Sequence, residues 1–272
     1  MIPEILLFAG LIAFSMGLRS FQHPAIFRVG HLGLIGTTYL FGYRMSDRHS
    51  VGVLLASLWV LFPWIDILGR IRHVQIPSKR SLSSQPAPGS RTFPELEELT
   101  AEAEDEGFTQ SEDLGWRGDD HRQFMRILTH GQKRVQATIH YVESEEAEFF
   151  YVTVSSRTQS GEVWNTWNYP FLLSLKPAPN WRFQSVSGNF GLLEILDSHE
   201  RWLSKNGVTN PVEIPSDPEA VQMLVEQDAA ALVSHNLKCG VLAPADEGKV
   251  RYTLRGCLFL WSQFIRDLIG AR

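Results

Sequence analysis

Apolar and polar positions divide this chain into two regimes. Three long apolar stretches, Ile2–Leu18, Ile26–Tyr43 and Val51–Gly69, fill the first 70 residues, and nothing comparable follows. A helix needs about 20 predominantly apolar residues to cross a hydrocarbon core. The pattern therefore predicts a three-helix transmembrane anchor over residues 1–72. The first stretch opens Met-Ile-Pro-Glu, without Lys or Arg, and no clean small-x-small site follows it. It reads as a retained helix and not as a signal peptide. The second stretch is thinned by Gly30, Gly33, Gly36 and Gly42, with Arg28 and His31 near its start. Gly33 and Thr37 have the small-xxx-small spacing that lets helices approach closely; the alternative is a re-entrant hairpin with the third stretch. That third stretch carries Trp59 and Trp64 as candidates for an interface belt, and Pro63 as a candidate kink. Asp66 and Arg70, four apart, are expected to pair at the membrane interface, with Arg72 beside them.

Residues 73–92 read as a basic juxtamembrane segment followed by a Ser/Pro/Gly linker, Ser81–Ser90. Beyond it the periodicity changes. Phe93, Leu96, Leu99 and Ala103 fall at helical spacing, with Thr92 or Phe93 as cap and Pro94 in the first turn. QFMRILTH, VQATIHYV, AEFFYVTVSSRT and VWNTWNYPF are rich in β-branched and aromatic residues and are separated by turn signals at Gly131-Gln132, Ser144–Glu146 and Gln159–Gly161. They predict about four antiparallel strands. Leu192, Ile195, Leu196, His199, Trp202 and Leu203 form one helical stripe, ended by Asn206-Gly207. Asp217-Pro218-Glu219 opens another helix. A hairpin turning at Asp246–Gly248 precedes a C-terminal amphipathic helix, 257–272, whose apolar face includes Leu258, Trp261, Phe264, Ile265, Leu268 and Ile269. At about 13 residues it is too short to span; it docks on the domain core or lies on the bilayer. The expected fold class is α+β, with a cytoplasmic domain over 93–256.

Charge sharpens the division. Residues 1–86 hold 8 Lys+Arg and 3 Asp+Glu, while the whole chain has a net charge of −5, which leaves −10 for residues 87–272. An acidic domain is a poor partner for nucleic acid, whose phosphates demand Lys and Arg. Arg70, Arg72, Lys79 and Arg80 cluster after the third stretch, more than in the loops holding Arg19 and Arg28 or Arg44 and Arg48. The positive-inside rule then places the C-terminal domain in the cytoplasm, on a multi-pass protein of the cell's inner membrane.

Candidate chemistry is sparse. Cys239 and Cys257 are the two cysteines, with no disulfide framework and no zinc spacing. His121, His130, His140, His199 and His235 form no HxxxH or HExxH pattern, and GxSxG, Walker and Rossmann signatures are lacking. No metal or cofactor is expected, and no catalytic residue is assigned. The densest binding candidate is Trp164, Asn165, Trp167, Asn168 and Tyr169. On a strand these alternate between two faces, each with an aromatic. Either both faces are covered, or one is left open for binding. Arg251–Gly256 resembles the wing of winged-helix proteins over about 20 residues, against which the acidic balance argues.

PELEELTAEAEDEGF, FFYVTVSSRTQSGEVWNTWNYP, EILDSHERWL and RYTLRGCLFLWSQFIRDL together resemble an uncharacterised family of bacterial membrane proteins, with N-terminal transmembrane helices and a C-terminal α+β domain. The resemblance covers most of residues 93–268 and implies no activity. The expected function is a membrane-anchored interaction protein or accessory subunit, with a membrane-complex protein as partner. The alternative is a membrane-tethered hydrolase acting on envelope or lipid-derived substrates, with His130, His140 and Glu143 gathered near one sheet face. Span count and the lack of a charge network argue against a transporter.

Overall fold

The computed structural model describes all residues except 1, 21–23, 119–120, 145–146, 172, 187–190 and 269–272. Glu145 and Glu146 of the expected turn and Ile269 of the C-terminal apolar face fall outside the described residues, as do the side chains of Arg19, Arg28 and His121. The chain forms two compact units, one of Met1–Ile76, Leu172–Ser174 and Cys239–Arg272, the other of Pro77–Phe171 and Leu175–Lys238. The hairpin, expected within the 93–256 domain, and the C-terminal helix, expected either on that domain's core or on the bilayer, both group with the N-terminal helices.

The first unit holds α1 (Ile2–Arg19), α2 (Pro24–Ser46) and α3 (His49–Gly69), then a short 3-10 turn at Ile71–His73. Strand β1 (Gln75–Pro77) joins β9 (Leu242–Pro244) and β10 (Lys249–Tyr252) in a three-stranded sheet ordered β1-β10-β9. Helix α7 (Leu254–Leu268) ends the described chain. Small residues set the helix contacts. A Cβ on Gly33 would stand 2.7 Å from the Ser15 hydroxyl, and one on Gly52 would stand 2.7 Å from the Tyr39 carbonyl. Backbones approach at these points because no side chain intervenes. Among the described residues, one helix, His49–His73, is long and apolar enough to cross a membrane. The three expected spans thus reduce to one on length and composition. Glycines and polar residues dilute α2.

The second unit contains α4 (Glu95–Asp105), α5 (Leu192–Lys205), α6 (Pro218–Lys238) and a seven-stranded sheet. Its strands are β2 (Ser83–Ser84), β3 (Thr109–Arg117), β4 (His121–His130), β5 (Val135–Ser144), β6 (Glu148–Arg157), β7 (Val163–Trp167) and β8 (Trp181–Ser185). They lie in sequence order, antiparallel except for the parallel pair β7 and β8. The fold is α+β, but the sheet exceeds the four strands expected. Strand β3 (TQSEDLGWR) is polar and contains a bulge between Gln110 and Glu112, which breaks its alternation. Strand β8 has five residues and follows a Pro-rich connection.

Register assigns every side chain to a face. One face carries Phe124, Leu128, Ala137, Ile139, Val152 and Val154, packed with Phe93, Leu96, Leu99 and Ala103 of the α4 region and Leu192, Ile195 and Leu196 of α5. Here the expected helical stripes are the buried ones. Arg126 on this face makes a bidentate bond to Asp113, at 2.9 and 2.7 Å. It also donates to the Thr100 hydroxyl of α4 at 3.1 Å. The opposite face holds Leu114, Met125 and Ile127, covered by Leu82 and by Val221 of α6. Asp217 caps α6 by accepting from the Ala220 N–H at 3.0 Å. Further along, Asp228 pairs with Arg157 at the end of β6. Burial holds that carboxyl above its ordinary value, against the pull of the guanidinium.

Candidate functional site

On the α5 face, a polar chain crosses the core. His199 is fully buried and lies between Ser156 of β6, 3.0 Å from its Nε2, and Thr166 of β7, 2.9 Å from its Nδ1. Thr166 donates its own proton to Gln184 Oε1 at 3.4 Å. It therefore accepts from His199 Nδ1–H, which leaves Nε2 to accept from Ser156. Gln184 passes the chain on to Ser198 at 3.3 Å. The order of bonds is that of a base-activated hydroxyl. Yet Ser156, Thr166 and His199 each have 0% exposure, so no substrate reaches them. Burial pushes the imidazole down to about 4, so it stays neutral. This chain ties α5 to β6 and β7.

The α6 face is aromatic. From β8 inward run Trp181, Phe183, Trp167 and Tyr169, with successive ring centroids 5.8, 4.7 and 5.4 Å apart. Tyr169 then meets Tyr151 at 4.8 Å and Phe171 at 5.8 Å, and Phe171 meets Phe149 at 4.8 Å. Tyr151 stacks on His140 at 4.3 Å, and Gln123 Nε2 lies 3.4 Å from His140 Nδ1. Register explains the grouping, because Met125, His140 and Tyr151 are cross-strand neighbours on one face. Burial pushes His140 down to about 3 and raises the phenols of Tyr151 and Tyr169, while the charge of Arg80 opposes the latter two shifts. Arg80 itself lies over the Trp116 ring, 5.1 Å from its centroid. Phe171, at 54% exposure, is the open end of this aromatic array.

The expected binding strand is divided by its pleat. Trp164 turns to the α5 side, against Trp202 at 4.6 Å, and its indole N–H is buried without a partner. Asn165 and Trp167 face the α6 side, where the Asn165 amide nitrogen is also buried without a partner. Asn168 prolongs the ladder, accepting from the Val152 N–H at 2.7 Å while its own N–H donates to Val152 at 3.3 Å. Tyr169 joins the aromatic array. Thus Trp167 and Tyr169 come together, and Trp164 does not join them. Gln123 and Phe183 reach this surface through strand register, and Arg80 from the segment between β1 and β2, so none of the three was legible in the sequence.

The grouping of His130, His140 and Glu143 does not form. His130 pairs with Val135 and His140 with Met125, which places the two imidazoles on opposite faces. Five residues of β5 also separate those levels, about 17 Å of strand. Among the described residues, no three His, Cys, Asp or Glu side chains come together as a metal site.

In the helical unit, Asp66 and Arg70 pair at 2.9 Å, both exposed. Trp59 lies midway along α3, and its indole donates to Thr38 of α2 at 3.0 Å. Trp64 meets Trp261 of α7 edge to face at 5.8 Å. Phe264 is half-buried on α7, and Arg72 is exposed in the 3-10 turn. The wing-like ending has a local explanation. Thr253 accepts from the Gly256 N–H at 3.1 Å and so caps α7. A Cβ on Gly256 would collide with the Val241 carbonyl, 2.2 Å away. Comparison with known protein families, with curated proteins and with solved structures finds no match.

Proposed function

We propose that this protein is a membrane-anchored interaction protein, displaying its acidic α+β unit at the cytoplasmic face as an accessory subunit of a membrane complex. One observation carries the anchor. Of 25 exposed large hydrophobic side chains among the described residues, 17 lie on α1–α3. Leu6, Leu7, Phe14, Leu32, Phe62 and Ile65 are each 60% exposed or more. Water does not tolerate a girdle of that extent, and hydrocarbon does. Helix α3 is the span; α2 packs on it at Gly42 and Gly52, and α1 packs on α2 where Ser15 meets Gly33. Their 18 and 23 residues correspond to about 27 and 35 Å of helix, comparable with a hydrocarbon core of about 30 Å. Arg70, Arg72, Lys79 and Arg80 follow the span, which favours a cytoplasmic second unit.

The aromatic array ending at Phe171 supports a protein partner, since aromatic residues enrich interfaces. The test is affinity purification of tagged full-length protein in mild detergent, with mass spectrometry of the co-purifying proteins. The expected result is a stoichiometric membrane protein that is retained by the parent and depleted several-fold by Phe171→Ala. Partner-free protein, or capture insensitive to Phe171→Ala and Trp167→Ala, would overturn the reading.

A further inference from the structure

We infer that the C-terminal helix α7 is itself inserted in the bilayer, antiparallel to α3, with its outer face against lipid acyl chains. The inference rests on the reading of α3 as a span. Two contacts fix the course of α7. Strand β10, which leads into α7, packs against the 3-10 turn Ile71–His73 just beyond the end of α3. Further along, Trp261 packs against Trp64, and its indole N–H donates to the Val60 carbonyl at 3.1 Å. From its start beside that turn to Trp261 beside Trp64 and Val60, α7 therefore runs back along α3.

Depth follows from helix geometry. Val60 is nine residues before Gly69, the last residue of α3. At 1.5 Å per residue that is about 14 Å, close to the middle of a hydrocarbon core of about 30 Å. A side chain bonded to that carbonyl cannot belong to a helix lying on the membrane surface. Nor does it belong to a helix packed into the large sheet's core.

The composition of α7 suits this place. Leu254 and Leu258 are 54% and 50% exposed among the described residues and, with exposed Arg255 at the start of the helix, form its outer face. Ser262, which with Gln263 forms the polar pair after Trp261, donates its hydroxyl back to the Phe259 carbonyl at 2.7 Å, which satisfies it within the helix. Arg266 lies about 7 Å further on. Its long stem reaches the opposite interface by snorkelling. Lipid is the occupant because α7 continues the surface of the one helix among the described residues that is long and apolar enough to cross.

The test uses full-length protein in vesicles of phosphatidylcholine and phosphatidylglycerol, with Cys239→Ser and Cys257→Ala as background. Nitroxide labels are placed singly at Leu258→Cys on α7, Phe62→Cys on α3 and Leu193→Cys on α5. Collision rates with oxygen and with a water-soluble nickel chelate are compared. We expect the oxygen-to-nickel ratio at 258 to match that at 62 and to exceed that at 193 several-fold. A label at 258 that behaves like 193 while 62 stays protected would overturn the insertion of α7 and leave the anchor intact. If 62 also behaves like 193, the span fails and the inference falls with it. Should Cys257→Ala fail to fold, the buried thiol is kept and the unmutated chain serves as the labelling blank.

Discussion

The two units of this molecule treat the same kinds of side chain in opposite ways. In the sheet unit, Phe124, Leu114, Ile139 and Val152 have 0% exposure, and amphipathic helices close over them. In the helical unit, Leu7 and Phe62 are 60% and 65% exposed, and the closest approaches between helices are made at Gly33, Gly42 and Gly52, beside contacts such as Phe8 with Phe41. A core forms where water must be excluded. Where the surroundings are already apolar, burial brings no gain, and close backbone approach takes over. On the proposed membrane reading, the difference between the units is a difference of solvent, and each prediction below probes it.

The strongest probe is the same deletion in each unit. Phe124→Ala empties a fully enclosed site and should cost about 3–5 kcal/mol. Phe62→Ala, on the outside of α3, should cost less than about 0.5 kcal/mol, the range of surface changes. Thermal unfolding of the full-length protein in mild detergent reads both. Equal losses would mean that α3 faces protein and not lipid. Next comes Asp113→Ala. The pair it makes with Arg126 is only 15% and 12% exposed, and the remaining guanidinium would keep Thr100 as its side-chain partner. We expect a loss of about 2–4 kcal/mol, slightly below that of a fully buried pair. A Tm within a degree of the parent would show that α4 relies on apolar packing alone.

The pH dependence tests the same unit from its polar side. His199 and His140 are held at about 4 and about 3, against an ordinary value of 6.5. Below pH 6.5 the unfolded chain takes up protons that the folded chain refuses. Stability is then complete above pH 6.5 and declines as the pH falls toward 4, by about 1.4 kcal/mol per pH unit for each histidine. Between pH 6.5 and 5, above most carboxylate titrations, His199→Asn should halve the slope of Tm against pH. An unchanged slope would place the proton uptake elsewhere.

How much of this was legible in the sequence depends on which level of structure carries it. Helix stripes were readable because one period fixes them: Phe93, Leu96, Leu99 and Ala103 are all buried as their spacing implies. The four apolar strands were readable for the same reason, and the polar β3 was not, since its bulge shifts the alternation. The aromatic array was half legible. Trp167 and Tyr169 are adjacent in the sequence pattern, but Gln123, His140 and Tyr151 meet only through the β4-β5-β6 register. The separation of His130 from His140 is another register effect. The place of α7 was not legible at all, because its amphipathic pattern suits a soluble core, a membrane surface and a neighbouring helix equally.

The smallest expected effect falls on Asp66 and Arg70. Their spacing predicted the pair, and it forms at 2.9 Å. The side chains are 58% and 80% exposed, however, so water and salt screen the attraction. An exposed i,i+4 pair of this kind contributes about 0.3–0.5 kcal/mol. Asp66→Asn should therefore shift the Tm of detergent-solubilised protein by no more than about 1–2 °C, since 1 kcal/mol moves a domain of this size by about 2–4 °C. The shift should shrink further at high salt. The pair thus serves as a gauge of depth. If Asp66→Asn in vesicles cost well over 1 kcal/mol, insensitive to salt, the pair would lie inside the hydrocarbon, and the boundary of α3 would move outward past Arg70.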